Sequence, residues 1–508
     1  LSANTTGAQN VAHGYQALQL NTTASDNTAV GVQALRYNTT GANNAALGRA
    51  ALYSNTTGAQ NTGMGFHALN ANTTGNNSTA VGYGALRANT TANDNTAVGY
   101  EALTANTTGG SNVAMGLGSL KANITGNSNV SVGLNSMMDN TAGYDNLSMG
   151  HDTMLRNTTG HSNIALGRRA LYNNTTGYDN TSVGKDTLYL STTSVNNVAV
   201  GDSALFNTIS SNNTAVGTSA LKANTTGTGS TAFGYRAGIA TTTGTQNTFI
   251  GSDAGGSNTT GNKNTFIGPD AGYYVTTGSN NTIIGKFNGN VGGLDIRTTN
   301  NNIVLSDGDG NPRALINSSG TMLVGKTSAG DFIAGIEMQP TGALLSYRTG
   351  GVAGIFGRSN NGELVRFNEN TTQVGSISVT GSSTAYNTSS DYRLKTNVTP
   401  MTGATAAVKL LKPCNFDWIS DGSNVNGFLA HELAEVVPEA ATGTKDAMMD
   451  EEYEVTPAVV DAEGVETTAA VMGTRSVPDM QGIDQSKLVP LLTATIQELI
   501  ARIEALEA

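Results

Sequence analysis

A glycine recurs along the first part of the chain, and hydrophobic and polar residues keep fixed places around it. The glycines stand at positions 14, 31, 48, 65, 82, 99, 116, 133, 150, 167, 184, 201, 217, 234, 251, 268 and 285. Fifteen of the sixteen spacings are 17 residues, and the spacing from Gly201 to Gly217 is 16. A period of this length indicates a repeat architecture, in which each repeat is one unit stacked on the next.

Residues that share a place in successive repeats form columns, defined here by their distance from the recurring glycine. The apolar column, one residue before the glycine, holds large side chains such as Val30 and Leu47, with His13 as the polar exception. The small column, two residues before it, holds only Ala, Ser or Gly in the first fourteen repeats. The leucine column, four residues after the glycine, holds Leu or Met in thirteen consecutive repeats, from Leu18 to Leu221. Alternation of large and small residues predicts a strand.

These columns predict a β-solenoid whose 17-residue coils each contain two short strands and two turns, with Asn-Thr-Thr-Gly as turn chemistry. We expect the apolar and leucine columns to be buried. Asparagine stands four residues before the glycine in fifteen of the seventeen repeats, and stacking would align these amides in a ladder. Two columns of medium side chains make a thin core. We therefore expect the small column to pack around a symmetry axis in a homotrimer.

The pattern changes near the end of the repeats. After Leu221 the leucine column becomes glycine, at Gly238, Gly255, Gly272 and Gly289, while the small column becomes Phe249, Phe266 and Ile283. The large side chains have thus moved from the leucine column to the small column, which we call the exchange of bulk. Because the single 16-residue spacing comes just before this exchange, we expect a change of cross-section or twist near residues 201 to 240.

Residues 5 to 290 resemble the β-roll heads of trimeric autotransporter adhesins and the Asn-Thr-Ala-Val-Gly repeats of phage tail proteins. We interpret residues 1–290 as a repeat β-solenoid of seventeen coils. Residues 291–389 keep short alternating runs without the period, which predicts a β-rich trimeric shaft. Asp307, Asp309 and Asn311 have the spacing of a calcium loop, but Pro312 stands where that loop needs Gly, which favours a β-turn.

Four motifs follow one another in the last part of the chain. They read Ser-Ser-Asp-Tyr-Arg-Leu-Lys at 389–395, Pro-Cys-Asn-Phe-Asp-Trp at 413–418, Gly-Phe-Leu-Ala-His-Glu at 427–432 and Lys-Leu-Val-Pro-Leu-Leu at 487–492. A helix closes the chain, and its apolar residues are spaced three and four apart, which is typical of a coiled-coil seam. The seam consists of Val489, Leu492, Ile496, Leu499, Ile503 and Leu506.

Residues 390–508 resemble the self-cleaving intramolecular chaperone domain at the C-terminus of phage tailspikes, tail fibres and endosialidases. The resemblance implies a small α+β domain and an autoproteolytic dyad, Ser390 as nucleophile and Lys395 as base. A lysine can take a proton from a hydroxyl when burial lowers its pKa. The alternative interpretation is that Ser390 caps a helix and Lys395 is an ordinary surface residue.

Composition narrows the candidate functions. Charged residues make up 12 % of the chain, and the net charge of -11 lies entirely in the segment from Asp391 onward. No basic patch indicates nucleic acid, no run of 18 apolar residues indicates membrane insertion, and no residue pattern indicates a cofactor or a metal site. The single cysteine forms no intrachain disulfide.

The sequence therefore predicts an all-β homotrimeric phage tail fibre or tailspike, located on the virion tail outside the cell. Its expected partners are other virion tail components and a host cell-surface receptor, for which a glycan is one candidate. One alternative is a bacterial trimeric surface adhesin, which needs a signal sequence and a membrane anchor that are not visible here. Another is a polysaccharide-degrading tailspike, which needs paired carboxylates in a groove, and the neutral repeats contain no recurring pair.

Overall fold

The structure is a computed structural model that describes most of the chain. The described residues are 1–329, 334–348, 362–369, 371–380, 383–388, 395–420, 422–456, 459–460, 466–468 and 471–508. The chain forms two compact units, Leu1–Gly354 and Ile355–Ala508. The chain contains a β-solenoid, a small C-terminal domain and a terminal helix, which confirms the predicted fold class.

The first unit begins with seventeen three-residue strands, one in each coil. They are β1 (Val11–His13), β2 (Thr28–Val30), β3 (Ala45–Leu47), β4 (Thr62–Met64), β5 (Thr79–Val81), β6 (Thr96–Val98), β7 (Val113–Met115), β8 (Val130–Val132), β9 (Leu147–Met149), β10 (Ile164–Leu166), β11 (Thr181–Val183), β12 (Val198–Val200), β13 (Thr214–Val216), β14 (Thr231–Phe233), β15 (Thr248–Ile250), β16 (Thr265–Ile267) and β17 (Thr282–Ile284). Each strand pairs in parallel with the strand of the next coil, so that Ala97 lies opposite Ala114.

The prediction of two strands per coil is wrong, because the segment after the glycine is not extended. Residues two and four places after the glycine have positive φ angles, such as 55° at Glu101 and 51° at Leu103. Positive φ turns the backbone sharply and interrupts a strand. Each coil is therefore one strand followed by a long series of turns.

The small column lies inside the coil, and the apolar column lies outside it. Ala97 and Ala114 are fully buried in the single chain, whereas Leu47 and Met115 are exposed. The predicted burial of the apolar column within the chain, and the predicted position of the small column at a trimer axis, are both wrong. The coil closes on itself, and the small column packs within it against the leucine column, whose members from Leu18 to Leu221 are fully buried.

The predicted exchange of bulk between columns is confirmed. Phe249 and Phe266 are fully buried, as are Leu205 and Leu221 in the leucine column. A Cβ atom built on Gly238 would lie 2.6 Å from Cδ2 of Phe249 and 3.0 Å from Cδ2 of Leu221. The phenylalanine ring of the small column thus fills the space that a leucine fills in earlier coils.

Close approach of the backbones explains the recurring glycine. Gly99 has a φ of +143°, and a Cβ atom there would collide with the carbonyl oxygen of Gly116 in the next coil. A side chain at this place would both strain the backbone and separate the coils. The glycine therefore permits the tight stacking on which the solenoid depends.

The predicted asparagine ladder is confirmed. In the first ladder, formed by asparagines four places before the glycine, the backbone N–H of Asn112 donates to Oδ1 of Asn95 at 2.9 Å. The side-chain nitrogen Nδ2 of Asn112 donates to the carbonyl oxygen of Gly126, also at 2.9 Å. Each amide thus ties its own coil to both neighbours, which satisfies polar groups that the narrow interior would otherwise leave unpaired.

A second asparagine ladder lies where the sequence indicated only turns. Its members are the asparagines of the Asn-Thr-Thr triplets and of two variant triplets, Asn-Ile-Thr at Asn123 and Asn-Thr-Ala at Asn140. Ten side-chain hydrogen bonds of 2.7–3.0 Å join successive coils from Asn4 to Asn174. Where the next coil lacks asparagine, at positions 191, 241 and 275, the amide oxygen of the last asparagine has no partner within the described residues. Buried amides, and not surface turns, therefore explain the triplets.

The sheet continues beyond the last coil. The strands that follow are β18 (Asn290–Val291), β19 (Leu294–Asp295), β20 (Ile303–Ser306), β21 (Pro312–Ile316), β22 (Met322–Val324), β23 (Gly335–Met338) and β24 (Leu344–Tyr347). β20 pairs in parallel with β17, and β20 to β24 then pair antiparallel in sequence. The hairpin between β20 and β21 contains the expected turn, in which the Asp307 carboxylate accepts hydrogen bonds from the N–H groups of Asp309 and Asn311.

Within its described residues, the second unit contains short antiparallel pairs and three α-helices. Its elements are β25 (Gly362–Glu369), β26 (Thr372–Thr380), β27 (Ser383–Thr388), α1 (Ala404–Val408), β28 (Cys414–Asp417), β29 (Asn424–Gly427), α2 (Ala430–Ala434), β30 (Ala441–Thr442), β31 (Met448–Thr456), β32 (Val459–Val460), β33 (Glu466–Thr468), β34 (Val471–Pro478), β35 (Gly482–Ile483) and α3 (Leu488–Glu507). The pairs are β25–β26–β27, β28–β29, β30–β35, β31–β34 and β32–β33.

The second ladder yields a stability prediction at Asn106. Its Nδ2 donates to Oδ1 of Asn89 and to the carbonyl of Gly109, both at 2.9 Å. Asn106→Ala leaves the buried oxygen of Asn89 without a partner, so it should destabilise the surrounding coils by about 1–3 kcal/mol. Thr108→Ala, on the exposed side of the same turn, is the control and should change stability by less than about 0.5 kcal/mol.

Hydrogen exchange of the β6 and β7 amides measures this effect coil by coil, since repeat proteins open locally. Equal protection in the two variants would contradict a stabilising role for the ladder.

Candidate functional site

The C-terminal helices share a small apolar core. Its buried members are Ala404, Leu433, Val437, Ala440, Leu488 and Leu491. These residues come from α1, α2, the turn after α2 and the first turn of α3. Pro490 is tolerated in α3 because it lies in the first turn, where its missing N–H has no helical partner. The core holds α1 and α2 against the start of the terminal helix.

Glu498 of α3 supplies the cap that α1 lacks. The residue before α1 is Gly403, which has no side chain to cap the helix. The Glu498 carboxylate accepts hydrogen bonds from the backbone N–H groups of Ala404 and Thr405, each at 2.8 Å. The neighbouring Thr405 hydroxyl and these N–H groups lower the pKa of Glu498 to about 2. A negative charge at this place also interacts favourably with the helix dipole.

A cleft of about 300 Å³ lies beside this core. Its lining is mainly apolar and includes Met401, Ala407, Val436 and Pro490, with Lys487 and Glu439 among its polar groups. Among the described residues, Lys395 does not line the cleft.

The predicted dyad is not tested by the structure, because Ser390 lies outside the described residues. Lys395 is exposed and precedes the irregular segment that leads to α1. His431 lies half-buried in α2, next to Glu432, whose Oε1 is 3.5 Å from Nζ of Lys412. The dyad stays a prediction from the sequence.

Helix α3 has two apolar faces. One face, with Leu488, Leu491 and Thr495, is buried in the chain's own core. The other face is the predicted seam, and all six of its residues are exposed, from 43 % at Leu499 to 86 % at Leu506. Sequence periodicity predicted the exposed face of α3. It did not predict the buried face or the role of Glu498, because the short helix α1 that Glu498 caps has no long pattern of apolar residues to recognise.

The described part of the chain contains no group of three or more His, Cys, Asp or Glu residues placed to hold a metal ion. Within the same residues, no helix combines the length and the apolar character needed to span a bilayer.

Acid should loosen the contact between α1 and α3. Because the folded-state pKa of Glu498 is depressed from 4.5 to about 2, its stabilising contribution is present above pH 4.5 and is lost as the pH falls towards 2. The protection factors of the Ala404 and Thr405 amides, which are corrected for the intrinsic pH dependence of exchange, should therefore fall over that window. Glu498→Gln should reduce the pH dependence, whereas Glu507→Gln, on the last turn of the same helix, should retain it. Protection of these two amides that is independent of pH in the unaltered chain would contradict the cap.

Comparison with protein families finds a match in the second unit. Residues 390–442, which contain α1, α2 and the β28–β29 hairpin, match the family described as chaperone of endosialidase. No curated protein and no solved structure matched the chain. The start of the C-terminal segment is therefore similar to an intramolecular chaperone of the endosialidase type, placed after a β-solenoid of seventeen coils.

Proposed function

We propose that the chain is a phage tail fibre or tailspike protein that attaches the virion to the host surface. The observation that carries this proposal is the chaperone-of-endosialidase match at 390–442, which follows a long β-solenoid in the same chain. The solenoid supplies length and a regular surface, and the C-terminal segment assists assembly. The expected location is the virion tail, and the expected partners are tail components and a host cell-surface receptor, with a glycan as one candidate.

We propose further that the protein assembles as a homotrimer. Coils of one chain resemble each other so closely that a neighbouring chain shifted by one coil would make almost the same contacts. A trimer nucleus at the C-terminus solves this problem, because it sets the register before the rods pack together. The exposed seam of α3 supports this role, since three such seams can cover one another in a coiled coil.

The C-terminal segment then removes itself, with Ser390 as nucleophile and Lys395 as base. The Ser390 hydroxyl attacks the carbonyl carbon of an adjacent peptide bond, and Lys395 takes the hydroxyl proton. The C–N bond then breaks and the new amine leaves with that proton, which gives an ester on Ser390 that water hydrolyses. Lys395 is exposed in the single chain, and burial turns a lysine into a base by lowering its pKa. We therefore expect cleavage only after assembly has covered Lys395. Loss of the chaperone would lock the fibre kinetically, because unfolded chains could no longer find their register.

Ser390→Ala and Lys395→Ala should each abolish cleavage while trimers still form. Ser389→Ala and Lys409→Ala are the matched controls, one adjacent serine and one exposed lysine in the same segment, and both should be cleaved. Mass spectrometry of freshly expressed protein measures the loss of the C-terminal fragment. Cleavage of Ser390→Ala at the wild-type rate would show that the nucleophile is a different residue.

The seam of α3 yields a separate prediction for assembly. Ile496→Lys places a charge in the proposed coiled coil, where it would be buried without a partner, so the chains should fail to form trimers. Gln497→Lys adds the same charge one residue away, on an exposed position outside the seam, and should assemble normally. Sedimentation velocity distinguishes the two. Trimers of the Ile496→Lys variant would contradict assembly through this helix.

A further inference from the structure

An apolar stripe runs along the outside of the solenoid. It consists of the first and third residues of strands β1 to β17, and the middle residue of each strand from β2 to β17 is buried on the opposite side. The third residue is the apolar column, and it stays hydrophobic in every coil after His13. Met115 is 43 % exposed, Phe233 58 % and Ile284 46 %. Large hydrophobic side chains in one unbroken row are uncommon on the surface of a protein that works alone.

The stripe carries no formal charge. Its first residues are Thr, Val, Ala, Leu or Ile, and its third residues are apolar apart from His13, so it has no Asp, Glu, Lys or Arg. The charged residues of the coils stand in other columns, as in the Arg169–Asp186 ion pair, whose atoms are 2.7 Å apart. Side chains that lie at the symmetry axis of an assembly meet their own copies, so a charge at the axis would meet an identical charge. A neutral stripe suits self-association.

The period and the size of the stripe also fit a second copy. Coils stack at about 4.8 Å, so seventeen coils extend for roughly 80 Å. Each three-residue strand is about 10 Å long, which sets the width of the stripe. The stripe therefore covers about 800 Å² per chain, the area that one partner contributes to a stable interface. A partner must present one apolar group per coil over this whole length. Another rod with the same coil spacing meets that requirement.

We propose that the stripe is the surface through which copies of this chain pack together along the solenoid, parallel and in register. The inference rests on the proposed trimer and specifies its interface: the apolar column faces the common axis, and the small column stays inside each chain. The α3 seam explains why the rods would be parallel and in register. Chains that are joined at the same C-terminal helix would run in the same direction and would align the same coil of each solenoid.

Cysteine crosslinking of the full chain tests this interface. The natural Cys414 is first replaced by alanine, and Met115→Cys then places one thiol on the stripe. Thr108→Cys is the matched control, an exposed residue of the preceding turn that lies outside the stripe. After treatment with a short bis-maleimide, most Met115→Cys chains should migrate as crosslinked species on a denaturing gel, and Thr108→Cys chains should stay single. A second pair one coil earlier, Val98→Cys and Thr91→Cys, repeats the comparison if Met115→Cys does not fold.

Sedimentation of the same samples separates failure of the interface from failure of the proposed function. Trimers that crosslink through Met115→Cys and not through Thr108→Cys support the inference. Trimers that crosslink only through Thr108→Cys, or through neither residue, overturn the stripe as the interface and leave the trimeric fibre intact. Single chains in solution overturn both, and the stripe would then be available to a different partner.

Discussion

Hydrogen bonds between residues one coil apart hold the first unit together. A strand of three residues cannot form a stable sheet alone, so the structure extends the pairing with side chains. In the first asparagine ladder each backbone N–H donates to the side-chain oxygen of the preceding asparagine, and each side-chain nitrogen donates to a backbone carbonyl of the next coil. The second ladder bonds side-chain amide to side-chain amide. Because an inserted residue would shift both ladders, the 17-residue period is kept. Where the chain drops one residue, Thr208 and Ser210 replace the missing amide, and Asn224 donates to the Thr208 hydroxyl at 3.1 Å.

The narrow coil also accounts for the surface of the solenoid. Two ladders of amides and the small and leucine columns occupy the interior, which leaves little space for larger side chains. The apolar column lies outside, where water is unfavourable for it. In the proposed homotrimer, packing against copies would remove that cost, and it would also create the register problem that we assign to the C-terminal chaperone.

Sequence periodicity predicted the solenoid, the first ladder and the exchange at Phe249, since each follows from residues that recur at a fixed spacing. It did not predict which face of the strand lies inside. Strand alternation shows that Ala97 and Val98 point to opposite sides, but it does not show which of the two sides is the interior. The contact of Glu498 with Ala404 joins residues 94 apart and leaves no local pattern. The Ser390–Lys395 pair rests on motif resemblance, and Ser390 lies outside the described residues.

The most direct test of this account is a cryo-electron microscopy reconstruction of the assembled full chain. The account predicts three parallel rods in register, with the apolar column from Val30 to Ile284 facing the common axis and both asparagine ladders enclosed within each rod. Separate rods, or an assembly in which the threonines of the Asn-Thr-Thr triplets face the axis, would contradict it.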